Sequence, residues 1–367
     1  MSGESDAKRY ASLRRGLWLA DLFLSFLLLG GWLAAGGARL YESWVIARVQ
    51  GWPLQVAVYA GSLGAGMALV SFPLEWVRDF WLEHRFGLST LTFPRWLGDQ
   101  AKQGLIGGLL GLIVVEGLSV LIRFAPENWW IWAAFFWLAW SILLTRVAPT
   151  WLIPIFYRQT PLKETALKER LESLLARCQT PVRGIFEMNL SRTTRKANAC
   201  LCGLGKTRRV LISDTLLEIH PPEEVEVVLA HEVGHHRLHH IGILIAASGL
   251  AAGGACFVVD RAARFSLNPF SLTGLSNLAA LPLLGLLFMG IGLVWMPFIN
   301  GLSRILEAQA DRYALGATRN PKAFAAAMRR LAERNLAEET PPKWVEWLLY
   351  DHPPIAKRIA MAEGTDV

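Results

Sequence analysis

The sequence predicts a mainly α-helical, multi-span membrane protein, and three observations carry that expectation. Hydrophobic residues make up 53% of the 367-residue chain and charged residues only 18%, below the roughly 25% usual for soluble domains. The apolar residues are gathered into blocks too long for the faces of soluble helices. Sixteen tryptophans fit anchoring at a membrane interface, and some, such as Trp129 and Trp130, stand at the ends of apolar runs.

Six runs are long enough, or nearly so, to cross a bilayer: 17–35, 54–72, 104–124, 129–147, 241–259 and 278–299. In the third, Gly104 and Gly108 overlap with Gly107 and Gly111 as two small-xxx-small patterns, which favour close helix contact. The fourth ends on Arg146. Lys8, Arg9, Arg14 and Arg15 precede the first run, which places the N-terminus in the cytoplasm. No small-residue cleavage site follows that run, so it is expected to be a retained span. Four spans bring the chain back to the cytoplasm near residue 150. Everything after the sixth span is expected there too.

The polar segments lie on either side of the last two spans. Residues 1–149 read as an N-terminal membrane region and 241–299 as a hairpin of spans. Residues 150–240 read as a helix over 162–178, strands near 184–190, 197–201 and 209–213, and a helix from Glu223 onward. Gly203-Leu204-Gly205-Lys206 makes a good turn between the last two strands. Residues 300–367 read as mostly helix. Neither polar segment has an evident core of its own, so the two are expected to fold as one split domain.

The net charge of +7 fits cytoplasmic loops rich in lysine and arginine. No aromatic-basic recognition module is visible, so nucleic acid is not an expected partner. Cys178, Cys200, Cys202 and Cys256 lack zinc-knuckle spacing, and a reduced compartment is expected. Asp21 and Glu116 lie inside apolar runs, where a structural hydrogen bond is the simplest reading.

The chemistry is concentrated in His231-Glu232-Val233-Gly234-His235. Two histidines four apart share one face of a helix and can converge on one metal ion. Glu232 lies roughly 100° round the helix, within reach of a water on that ion. Two ligands, a general base and an open position are what a zinc protease needs. Such a site requires a third protein ligand, and the best candidate is Glu307 in the stretch 303–311. Asp311, one turn further on the same face, suits a carboxylate that orients a ligand histidine. From the residues alone, an ordinary surface helix with Glu307 and Asp311 solvated is an equal alternative.

Several stretches in order resemble the CAAX prenyl protease 1 family, the integral-membrane zinc metalloendopeptidases related to the HtpX proteases. They are 74–92 with Glu83-His84-Arg85-Phe86-Gly87, Ala148-Pro149 through Thr160-Pro161-Leu162, 191–203 around Asn198-Ala199, and 210–218. The histidine motif, 303–311, and His352-Pro353-Pro354 with Arg358 complete the set. The resemblance implies a split gluzincin-type zinc protease domain with a small β-sheet, and an aqueous chamber between the spans. It implies one zinc ion held by His231, His235 and Glu307, with Glu232 as catalytic base. It puts Asn198 and Ala199 on a substrate-binding edge strand and His352 in the active site. The expected substrate is a peptide or protein, lipidated or membrane-associated.

The chain departs from the family in places. Six spans are readable where eukaryotic members have seven. Cys200 follows Asn-Ala in place of tyrosine or phenylalanine, and His236 replaces a tryptophan. The long insertion before the motif helix is missing, which suggests a prokaryotic member in a bacterial inner membrane. Two other classes of function remain: a transporter or channel with a regulatory metal site, and an inactive scaffold, against which the intact Glu232 argues. His236, His239 and His240 read as polar residues near the interface, with His239 lining the cavity. His84 and His220 read as surface or loop residues. On sequence alone His352 reads as a cap for a helix beginning near Ile355.

Overall fold

The structure is a computed structural model and describes residues 2–364. Five helices of 12 residues or more come first: α1 (Ser2–Ala34), α2 (Gly37–Arg48), α3 (Trp52–Trp76), α4 (Phe93–Phe124) and α5 (Trp129–Val147). Proline opens α3 and α4, where its missing N–H costs nothing and its fixed φ suits a first turn. A π-helical turn, Val77–Trp81, follows α3. After α6 (Thr165–Arg177) and α7 (Pro222–Arg237) come α8 (His240–Ser266), α9 (Leu281–Thr318), α10 (Pro321–Asn335) and α11 (Ile355–Glu363).

Six of the helical segments are long and apolar enough to span a membrane: Ser5–Ala34, Trp52–Arg85, Phe93–Phe124, Trp129–Phe156, His240–Ser266 and Leu278–Thr318. They coincide with the six apolar runs but extend beyond them. Helix α9 shows why this matters. Its 38 residues rise about 57 Å, nearly twice the ~30 Å hydrocarbon core. The apolar half accounts for the crossing. The polar half continues as a rigid arm and carries Glu307 and Asp311.

A four-stranded sheet lies between α5 and α7 in sequence, with strands β1 (Gln159–Pro161), β2 (Ile185–Met188), β3 (Ala199–Cys202) and β4 (Arg209–Ser213). The spatial order is β1-β2-β4-β3. The β2–β4 pair is parallel and the other two pairs are antiparallel. Three strands match the sequence reading. The fourth, β1, is only three residues long and ends in proline, as an edge strand allows.

One apolar core joins both polar segments. Leu171 and Leu174 of α6, Val210 and Ile212 of β4, and Val227 and Val233 of α7 pack with Ala314 of α9, Phe324 and Met328 of α10, and Ile359 of α11. A second core, around Trp129, Cys256, Val259 and Leu283, lies between the spans. Ion pairs tie the N-terminal helices to the later segments. Buried Glu83 accepts from Arg14 and Lys196. Arg192 reaches Asp99 at 2.8 Å, and Arg15 reaches Glu338 at 2.7 Å. Within the first spans, Asp21 faces Arg78 at 3.9 Å.

Candidate metal centre

Helix α7 starts at Pro222, with Glu223 and Glu224 in its first turn, where carboxylates favour the positive end of the helix dipole. The run from Glu224 to His231 is buried. Gly234 is the contact that matters most. A Cβ there would stand 3.1 Å from the Ala310 Cα and 3.2 Å from the Tyr313 Cβ. The missing side chain lets α7 lie directly against the polar arm of α9, so the histidines of one helix face the carboxylates of the other.

His231 Nε2 and His235 Nε2 stand 3.1 Å apart. Glu307 completes the triangle, with Oε2 3.2 Å from His231 Nε2 and Oε1 3.2 Å from His235 Nε2. Ligand atoms about 2.0–2.1 Å from a tetrahedral ion would lie about 3.3 Å from one another, so the triangle has the size an ion requires. The Glu307 Oε2 atom is buried with no hydrogen-bond partner, an expensive state that a cation would relieve. Among the described residues this is the one cluster whose ligand atoms converge. Two imidazole nitrogens and a carboxylate suit a divalent transition metal.

The far side of His231 is held firmly. Its Nδ1 lies 2.8 Å from Asp311 Oδ1. Asp311 is fully buried, and Arg358 grips it through Nε at 2.8 Å and Nη2 at 2.6 Å. Burial opposes a charge on His231, but the carboxylates of Asp311 and Glu307 outweigh it and raise the ring to about 9. A metal therefore has to displace a proton below that pH, and its apparent affinity falls as pH falls.

Glu232 is half-buried, and its Oε2 accepts the Leu201 N–H at 3.2 Å. Strand β3 is a sheet edge. Asn198 is exposed just before it, bonded to Ser213 through both its backbone groups. The antiparallel alternation then turns the peptide groups of Ala199 and Leu201 away from β4. Those of Leu201 meet α7: the carbonyl accepts from His236 Nε2 at 2.7 Å.

His352 sits at the same centre. Its Nε2 lies 3.3 Å from Glu307 Oε1 and its Nδ1 2.8 Å from Asp351 Oδ1. The Asp351 hydrogen bond raises its pKa above the ordinary histidine value against the pull of burial, and Glu307 adds to the rise. It does not cap α11, whose N-cap is Pro354 with no side-chain bond. His84 is exposed as expected, with both ring nitrogens on backbone carbonyls. His220 differs from expectation. It is buried and bonds Glu224 at 2.8 Å, because the chain entering α7 turns it onto that helix. His239 is exposed at the break between α7 and α8, whereas His240 is fully buried beneath it. The sequence reading gave no role to Arg358 itself, to Gly234 or to Gln309. Arg358 could have been sought as the cation a buried Asp311 demands.

Comparisons with known proteins give the family. The model of peptidase family M48 matches residues 161–366. A second model, described as CAAX prenyl protease N-terminal with five membrane helices, matches residues 5–158. That region holds α1–α5, of which the 12-residue α2 is too short to span. A Bacillus subtilis protein named uncharacterized metalloprotease YhfN is 29% identical over 97% of this chain and 84% of its own length. A rice protein named CAAX prenyl protease 1 homolog is 27% identical over 81% of this chain and 71% of its own. In fold, the chain is similar to the crystal structure of S. mikatae Ste24p, with a TM-score of 0.86 and 22% identity over 99% of this chain and 89% of that one. The chain belongs to peptidase family M48 and is a metalloprotease held in a membrane by several helices.

Proposed function

We propose that this protein is a zinc-dependent metalloendopeptidase that binds one zinc ion per chain through His231, His235 and Glu307. The observation that carries the reading is the closed triangle of their ligand atoms, with every side 3.1–3.2 Å. When bound, zinc supplies an acidified water at its open position and a Lewis acid that polarises the substrate carbonyl. The chain's own residues do the rest. Glu232 takes the proton of the attacking water and passes it to the leaving amine. Asp311, itself held by Arg358, keeps the His231 proton on Nδ1 and turns Nε2 towards the ion. An extended peptide adds to the β3 edge at Ala199, beside the exposed Asn198, so recognition runs through the backbone more than through side chains.

The purified protein should cleave an unstructured substrate such as casein, lose that activity to a chelator and regain it with zinc. Chelator-insensitive cleavage would overturn the reading. The membrane setting and the names of the relatives support a membrane-associated or lipidated substrate. A lipidated peptide and its plain twin in the same assay decide that point: equal cleavage of the two contradicts a lipid preference.

His352 completes the site in this reading. Its Nε2 points at the centre, where a donor can stabilise the negative charge that develops on the carbonyl oxygen. His352→Ala lowers kcat by roughly 10²-fold, the low end for losing such a donor, with zinc content unchanged. An unaltered kcat returns His352 to a purely structural role.

Residues 150–240 and 300–367 then form one protease domain, supported by their shared core, split by the hairpin 241–299 and preceded by the membrane region 1–149. Six spans and the basic residues before the first support a cytoplasmic position for this domain and both termini. Reporter fusions at the two ends should agree with each other and oppose one near Leu267. Termini on opposite faces would exclude an even number of spans.

A further inference from the structure

A ligand histidine must carry its proton on the nitrogen away from the metal, so that the near nitrogen offers a lone pair. For His231 the Asp311 carboxylate ensures this. His235 has a different partner. Its Nδ1 lies 3.1 Å from the Nδ1 of His240. The Nε2 of His240 lies 3.1 Å from Gln309 Oε1. His240 is fully buried. It opens α8 directly after His239, whose left-handed φ of 59° turns the chain back towards α7. The two rings meet edge-on, with centroids 5.1 Å apart and planes at 78°.

Only one placement of protons along this chain serves a metal. If His235 offers Nε2, its proton is on Nδ1 and His240 must accept it. The His240 proton is then on Nε2 and is donated to Gln309, whose amide oxygen ends the chain. The reverse order, with the Gln309 amide nitrogen donating, would put a proton on His240 Nδ1. His235 would then have to accept at Nδ1 and turn an N–H towards the ion.

We infer that His240, oriented by Gln309, is the positioning residue that holds His235 in its metal-binding tautomer. The inference rests on His235 being a ligand. His240 acts only through that residue. The chain thus uses two unlike devices on its two ligand histidines, a clamped carboxylate on one and a neutral imidazole–amide relay on the other.

The test is the zinc affinity of the full-length purified protein by chelator competition, together with the visible spectrum of its cobalt-substituted form. His240→Leu fills much of the space but accepts nothing, so zinc affinity falls roughly 10- to 100-fold and the cobalt spectrum changes. His240→Asn places Oδ1 where Nδ1 stood, and affinity stays within about threefold of the parent protein. A packing role predicts the opposite order, because Asn leaves a void that Leu fills. Should the His240 variants fail to fold, the exposed Gln309 gives the same contrast. Gln309→Glu keeps the acceptor and the affinity, whereas Gln309→Met weakens zinc binding. His235→Ala serves as the control. Parental zinc affinity in that variant overturns the ligand assignment. A zinc-deficient His235→Ala beside a His240→Leu, or a Gln309→Met, of parental affinity overturns this inference alone.

Discussion

Glu232→Gln should lower the rate of peptide hydrolysis by about 10²–10⁴-fold, the range for losing a positioned general base, while zinc stays bound. Glutamine matches the shape of glutamate, and its Oε1 can still accept the Leu201 N–H that the carboxylate holds at 3.2 Å. Strand β3 therefore keeps its place, and the sides of the ligand triangle do not include Glu232. A neutral amide, however, cannot take a proton from water. The variant separates the base from everything around it. Near-normal hydrolysis by Glu232→Gln, once contaminating proteases are excluded, would mean that another group removes the proton.

The second large effect is on the metal itself. Glu307→Ala should cost zinc as well as activity. It removes two sides of the triangle at once, since Glu307 reaches both His231 and His235 at 3.2 Å. Losing an outer partner of a ligand costs 10–100-fold in metal affinity; losing the ligand itself should exceed that, by more than about 100-fold. The polar arm of α9 should remain helical, because alanine is the best helix former and the clamp from Arg358 to Asp311 is untouched. Glu223→Ala, in the first turn of the same motif helix, is the matched control and should change neither zinc nor rate.

The parts legible in the sequence were those set by a short, regular spacing. Bilayer thickness dictates the length of an apolar run, so all six spans could be seen. Their ends could not, because helices such as α9 continue into polar surroundings without any break in backbone geometry. His231, Glu232 and His235 were legible because one helical turn brings them together. Glu307 follows 72 positions after His235, and no periodicity links the two. Only the resemblance raised it above a solvated surface residue, and the close packing at Gly234 is what brings it to the site. His352 was ambiguous for the same reason. Strand β1 escaped because three residues ending in proline carry no alternation. His240 looks interfacial in the sequence because its burial depends on the left-handed turn at His239. Nothing in a histidine-rich stretch announces which residue will adopt that turn.

The decisive measurement is the zinc-to-chain ratio by mass spectrometry, taken with peptide hydrolysis on the same preparations of the parent protein, Glu232→Gln and Glu307→Ala. One zinc per chain in the first two, activity only in the first, and neither zinc nor activity in the third is the result the site geometry requires. Full zinc in Glu307→Ala, or hydrolysis near the parent rate in Glu232→Gln, would contradict it.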